Sequence, residues 1–139
     1  MKLTEEDRKQ IVLYRIEKAK DTLREAKDNI ELENWNTVAN RLYYACYYAA
    51  SALLIKHEYF SKTHEGVNSL LGQHFIKTGI IDQKCGSTYN KTLALRQKGD
   101  YNDMVIIDPD QVKQLVVPTA ELIITIEKLI LETKQIITN

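Results

Sequence analysis

Five glycines and two prolines in 139 residues leave little to interrupt regular structure, so long elements joined by few turns are expected. The two cysteines, Cys46 and Cys85, form no CxxC pair. That spacing excludes a zinc ribbon or a disulfide scaffold and fits reduced core thiols in a cytoplasmic protein. The longest uncharged run, Leu42 to Ile55, has 14 residues, where a membrane span needs about 20. No basic segment followed by an apolar one marks a signal peptide. The chain also lacks a glycine-rich phosphate loop, a GxSxG turn, an HExxH pair and a Cys–His pairing, so composition and motif alone point to no enzyme, cofactor or metal.

Net charge is zero, which removes any global basic footprint. The charge is unevenly spread, however. Residues 1–55 hold nine basic and nine acidic side chains, residues 56–98 hold seven and three, and residues 99–139 hold three and seven. A basic middle third either favours a phosphate ligand or faces the acidic final third, within one chain or across a dimer.

What the chain has in quantity is helical periodicity. Thr4 before Glu5, Glu6 and Asp7 is a capped helix start. Val12, Ile16, Ala19, Leu23, Ala26 and Ile30 then recur at fours and threes, predicting a first helix from about Glu5 to Leu32. A second helix, capped by Asn34 or Asn36, reaches about His57. Its tyrosines and alanines cover most faces, so it belongs at the centre of a bundle. At this spacing Tyr43, Tyr44, Tyr47 and Tyr48 read as core before they read as a base-stacking platform. Ser61 or Thr63 starts a third helix that Gly79 stops. Asp82 caps a fourth, and Asp108-Pro109-Asp110-Gln111 opens a fifth. Pro118 is expected to kink that last helix, whose broad apolar stripe suggests a dimer face. The fold class is therefore all-α, an up-and-down bundle of four to five antiparallel helices forming one domain over residues 1–139 and a homodimer.

The polar residues worth following cluster in Leu95-Arg96-Gln97-Lys98-Gly99-Asp100-Tyr101-Asn102-Asp103. Arg96 and Asp100 stand one helical turn apart. The simplest reading is an ion pair at a helix end. Yet Arg96 shares a stripe with Cys85, Tyr89 and Leu93, which points inward, where a charge must be paired or solvated in a cleft. Arg96 and Lys98 are candidate phosphate holders, and Tyr101 offers a hydroxyl. Asn40 and Arg41 are the polar exceptions at the start of the second helix. For Asn40 a buried amide bonded to a neighbouring helix is the simpler role, and for His64 a bond at a helix end.

Three stretches together resemble the HEPN family (the higher eukaryotes and prokaryotes nucleotide-binding domains). They are Asn40-Arg41-Leu42-Tyr43-Tyr44-Ala45 with the alanines that follow, Lys62-Thr63-His64-Glu65-Gly66-Val67 through Gly79, and Leu95-Arg96-Gln97-Lys98-Gly99-Asp100-Tyr101. The resemblance implies a dimeric helical bundle that binds nucleotide or RNA through Arg96, Lys98, Asp100, Tyr101, Asn40, Arg41 and His64. It also implies a minimal nucleotidyltransferase as partner in a toxin–antitoxin or defence pair. Catalytic relatives cleave RNA without metal, using an arginine followed four to six residues later by a histidine. Here Arg96 and Asp100 are the candidates for chemistry. The histidine position falls on Asn102 or its neighbours, so the motif is incomplete. In some members a tyrosine beside the motif is modified by the partner, and Tyr101 matches it. The alternatives are a metal-independent toxin ribonuclease with a replaced histidine, or a non-catalytic interaction domain.

Overall fold

The computed structural model describes residues 3–101 and 105–137, with side chains at all of these except 101 and 133–137. The described residues form helices α1 (Glu5–Glu31), α2 (Trp35–Lys56), α3 (His64–Leu71), α4 (Gln83–Tyr101), α5 (Pro109–Lys113) and α6 (Val116–Ile137), with a π-helical turn at Gly72–Ile76 and no strand. The all-α bundle follows from the periodicity.

α1 begins where its cap predicts. The Thr4 hydroxyl accepts the Asp7 N–H at 3.0 Å, and the three acids behind it face the positive end of the helix dipole. Its apolar stripe is buried from Val12 to Ala26. Thr22 joins that face because its hydroxyl donates back to the Lys18 carbonyl at 2.7 Å. A three-residue turn with Glu33 at φ 58° then sends α2 back along α1. Asn34 holds the cap position of α2 without capping through its side chain; its amide donates to Asn29 Oδ1 instead, at 3.3 Å.

α2 is the axis of the bundle and packs against α1, α3, α4, α5 and α6. Ala39, Ala45, Ala49, Ala50 and Ala52 are buried, and their small size lets neighbouring backbones approach. Cys46 is tied to two other helices: the Thr92 hydroxyl of α4 donates to its sulfur at 3.8 Å, and its thiol donates to Thr119 Oγ1 of α6 at 3.9 Å. Burial lifts this thiol to about 11, so it stays protonated at neutral pH, as a core cysteine should.

Two expectations are corrected. The third helix does not run unbroken to Gly79: regular α-geometry ends at Leu71, and the next turn widens, with the Lys77 N–H bonding the Gly72 carbonyl five residues back at 2.8 Å. Gly79, at φ 81°, then closes the segment. Nor does Pro118 kink a long last helix. The chain breaks earlier, between Lys113 and Val116. Pro118 therefore lies in the first turn of α6, where its missing N–H costs no intrahelical bond.

Candidate functional site

The α4 helix reaches Tyr101 because Asp82 caps it, its carboxylate accepting the Lys84 N–H at 2.7 Å, and because Gly99 leaves room at the far end. A Cβ on Gly99 would lie 2.8 Å from Ile107 Cδ1. The missing side chain lets the buried Ile107 fold the connector across the helix end, and this fixes the last turn of α4 beside the start of α2.

On that turn Arg96 Nε donates to Asp100 Oδ2 at 2.9 Å, as the spacing predicts. Arg96 is not a surface residue: its side chain is 21% exposed. Its guanidinium lies over the rings of Tyr43 and Tyr44, 5.3 and 5.4 Å from their centroids. Those faces hold the cation against the protein.

Asn40 takes the role that sequence reading ranked second. Its amide nitrogen reaches Asp100 Oδ2 at 3.5 Å, a long bond. Its amide oxygen accepts from Arg41 Nε and Nη2, at 3.1 and 2.8 Å. Arg41 in turn pairs with Glu25 of α1 at 3.4 Å and covers the other face of the cluster, 5.4 Å from the Tyr44 centroid. A polar chain thus runs from α1 through α2 to α4: Glu25, Arg41, Asn40, Asp100, Arg96. Glu25 was not anticipated, since nothing near it in sequence marks it.

His64 also enters the site. Its ring lies 4.4 Å from Tyr47, 5.6 Å from Tyr44 and 5.9 Å from Tyr43. Burial lowers its pKa, and the Arg96 charge lowers it further, so the imidazole is neutral at pH 7. The preceding turn aims it. Thr63 caps α3 by accepting the Gly66 N–H at 2.9 Å, and the Ser61 hydroxyl accepts the Thr63 N–H at 3.2 Å. Ser61 crosses directly over Gly66, where a Cβ would sit 1.9 Å from its oxygen.

The tyrosines divide. Tyr43 is fully buried against Tyr89, their centroids 5.8 Å apart. The two hydroxyls feel one another, but neither makes a hydrogen bond. Burial raises the pKa of both. Tyr44, Tyr47 and Tyr48 are half-exposed, so the row is part core and part site wall. Lys98 is exposed on α4. The Tyr101 side chain, Asn102 and Asp103 lie outside the described residues. Among the described residues no group of three metal-ligating side chains converges, and no helix is long and apolar enough to cross a membrane.

The fold and site define an α-helical domain with a guanidinium, a carboxylate and an imidazole gathered around exposed tyrosine rings. The HEPN domain family model matches residues 12–130, and the chain belongs to the HEPN family. A Thermotoga maritima protein named UPF0332 protein is 31% identical over 129 residues, covering 93% of this chain and 98% of that one. Two Methanocaldococcus jannaschii proteins bear the names "Putative toxin MJ0142" and "Putative toxin MJ0605". The first is 30% identical over 72% of this chain and 68% of its own length. The second is 35% identical over 62% and 64%.

Proposed function

We propose that the Arg96 cluster binds the phosphate of RNA or a nucleotide, and that the protein serves a toxin-like role of the kind its archaeal relatives are named for. The observation that carries this is the seating of Arg96. Its Nε is held by Asp100 and its face by Tyr43 and Tyr44, which preorganises the terminal nitrogens of the guanidinium to grip two phosphate oxygens. Tyr44 and Tyr47 provide half-exposed rings for a base. Arg41 and Lys98 add positive charge nearby, and Asn40 orients Asp100.

In this reading the chain is cytoplasmic, acts as a homodimer and is paired with a minimal nucleotidyltransferase, with Tyr101 as acceptor of a nucleotidyl group. Support for self-association comes from α6. Val117, Ile124 and Leu131 stand seven apart and are 64%, 51% and 67% exposed, with Glu121 and Lys128 exposed between them. A two-fold axis near Ile124 would set Val117 against Leu131 of a second copy and Glu121 against its Lys128.

The test has two arms. Titrating a labelled single-stranded ribo-oligonucleotide with wild type and Arg96→Ala should show weaker binding by about tenfold or more for the variant, the worth of a charged hydrogen bond. Equal binding by a folded Arg96→Ala protein would refute the site. Native mass spectrometry of protein isolated from its own source should show a dimer carrying a nucleotidyltransferase, a nucleotide or a nucleotidyl group. A bare, unmodified dimer would favour a purely structural interaction domain.

A further inference from the structure

An arginine beside RNA holds phosphate but moves no proton near neutral pH. Cleavage of an RNA backbone by its own 2′-hydroxyl needs a group that can take that proton. The segment after Arg96 supplies no histidine. The fold brings one from elsewhere. His64 arrives on α3 and shares the Tyr44 ring with Arg96, at 5.6 Å for the imidazole and 5.4 Å for the guanidinium.

We infer that His64 is the proton-transfer residue of this site, and that with Arg96 it makes the protein a metal-independent ribonuclease. The inference rests on the reading that RNA binds at Arg96. The placement of His64 is built: Thr63 caps its helix and Ser61 locks the turn across Gly66. The other two histidines are occupied differently. His74 stacks on Tyr59 at 4.0 Å, and His57 packs 5.3 Å from Phe75. The groups facing His64 are Tyr43, Tyr44 and Tyr47 of α2 and Arg96 of α4; Lys62 and Glu65 of its own segment are exposed. No carboxylate is among those facing groups, and the Arg96 charge opposes a positive imidazole, so His64 meets substrate as a neutral base.

The step balances without water or redox change. His64 takes the 2′-hydroxyl proton as the 2′ oxygen bonds to the adjacent phosphorus. Arg96 holds the non-bridging oxygens, whose charge builds as the fifth bond forms. The bond from phosphorus to the 5′ oxygen breaks, and that oxygen takes a proton from solvent. His64 then returns its proton to solvent, leaving a 2′,3′-cyclic phosphate and a 5′-hydroxyl.

The experiment uses a labelled single-stranded ribo-oligonucleotide in chelator, with its 2′-deoxy counterpart, and follows binding and cleavage separately. Wild type should bind both and cleave only the ribo form, to a cyclic phosphate end. His64→Asn should bind with little change and cleave more slowly by a factor on the order of 10² or greater. His64→Ala should regain rate on adding imidazole, which a structural role would not allow, and His74→Asn should cleave normally. Cleavage should slow as pH falls below the usual histidine range, and His64→Asn should lack that limb. Binding without cleavage by wild type, or unimpaired cleavage by His64→Asn, would overturn the inference and leave the binding site standing. Wild type that binds no RNA would remove the underlying reading as well.

Discussion

The two ends of the α3 segment each place a histidine on tyrosine, and they differ in what surrounds the pair. At the far end His74 stacks almost flat on Tyr59, with an interplanar angle of 12°, and Phe75 and His57 complete a largely aromatic cluster. At the near end His64 meets Tyr47 at a tilt of 47°, and the same tyrosine row carries Arg96 and Arg41. Imidazole on a ring is a general way to cover aromatic surface. What sets one pair apart as a site is the ionic chain behind it, from Glu25 to Arg96, which ends at half-exposed rings.

Breaking the ionic chain at its end should have the largest effect. Arg96→Ala is expected to weaken RNA binding by about ten- to a hundredfold, since a hydrogen bond to a charged group contributes about 1.5–3 kcal/mol. His74→Ala, at the opposite end, should leave the titration unchanged.

The next largest effect concerns the turn that aims His64. Gly66→Ala puts a methyl group on Ser61 and should displace the Thr63 cap, costing about 1 kcal/mol in a urea melt. Adding Ser61→Gly removes the obstructing side chain and should recover part of that loss. Recovery of stability and RNA handling together would tie the turn to the site.

Asn40→Ala cuts the link between Arg41 and Asp100. Its bond to Asp100 is long, so a stability loss of roughly 0.5–1 kcal/mol is expected, with a few-fold loss of RNA affinity read in the same titration.

The smallest effect is in pH. Burial lowers the pKa of both His57 and His64 below 6.5, with Lys56 and Arg96 adding to it respectively. Above 6.5 both histidines are neutral folded or unfolded and contribute no pH dependence. As pH falls through 6.5 the unfolded chain takes up protons first, so stability drops. Urea melts at pH 7.5 and 5.5 should show that drop, and His57→Asn with His64→Asn should shrink it.

Features with local causes were legible in the sequence. Thr4, Thr63, Asp82 and Asp108 cap helices because a cap needs only its own turn. The Arg96–Asp100 pair follows from helical spacing alone. Asn40 was ranked the wrong way because its partner Asp100 is 60 residues on, and no periodicity reports such a meeting. His64 was taken as a helix-end residue for the same reason: its site is assembled by α2 and α4. The tyrosine row misled in part. Helical spacing shows that Tyr43 and Tyr44 are neighbours but not that the bundle closes over one and leaves the other half-exposed. The break before α6 was misplaced because Pro118 marks a first turn as readily as a kink, and only the packing of the preceding Leu115 decides which.

The most direct test of the Arg96 site is an amide and side-chain NMR titration of the full chain with a single-stranded ribo-oligonucleotide. The account predicts shifts concentrated at Arg96, Asn40, Arg41, Tyr44, Tyr47 and His64, with His74 and Tyr59 silent. Shifts centred on the His74 end, or spread evenly over the surface, would contradict it.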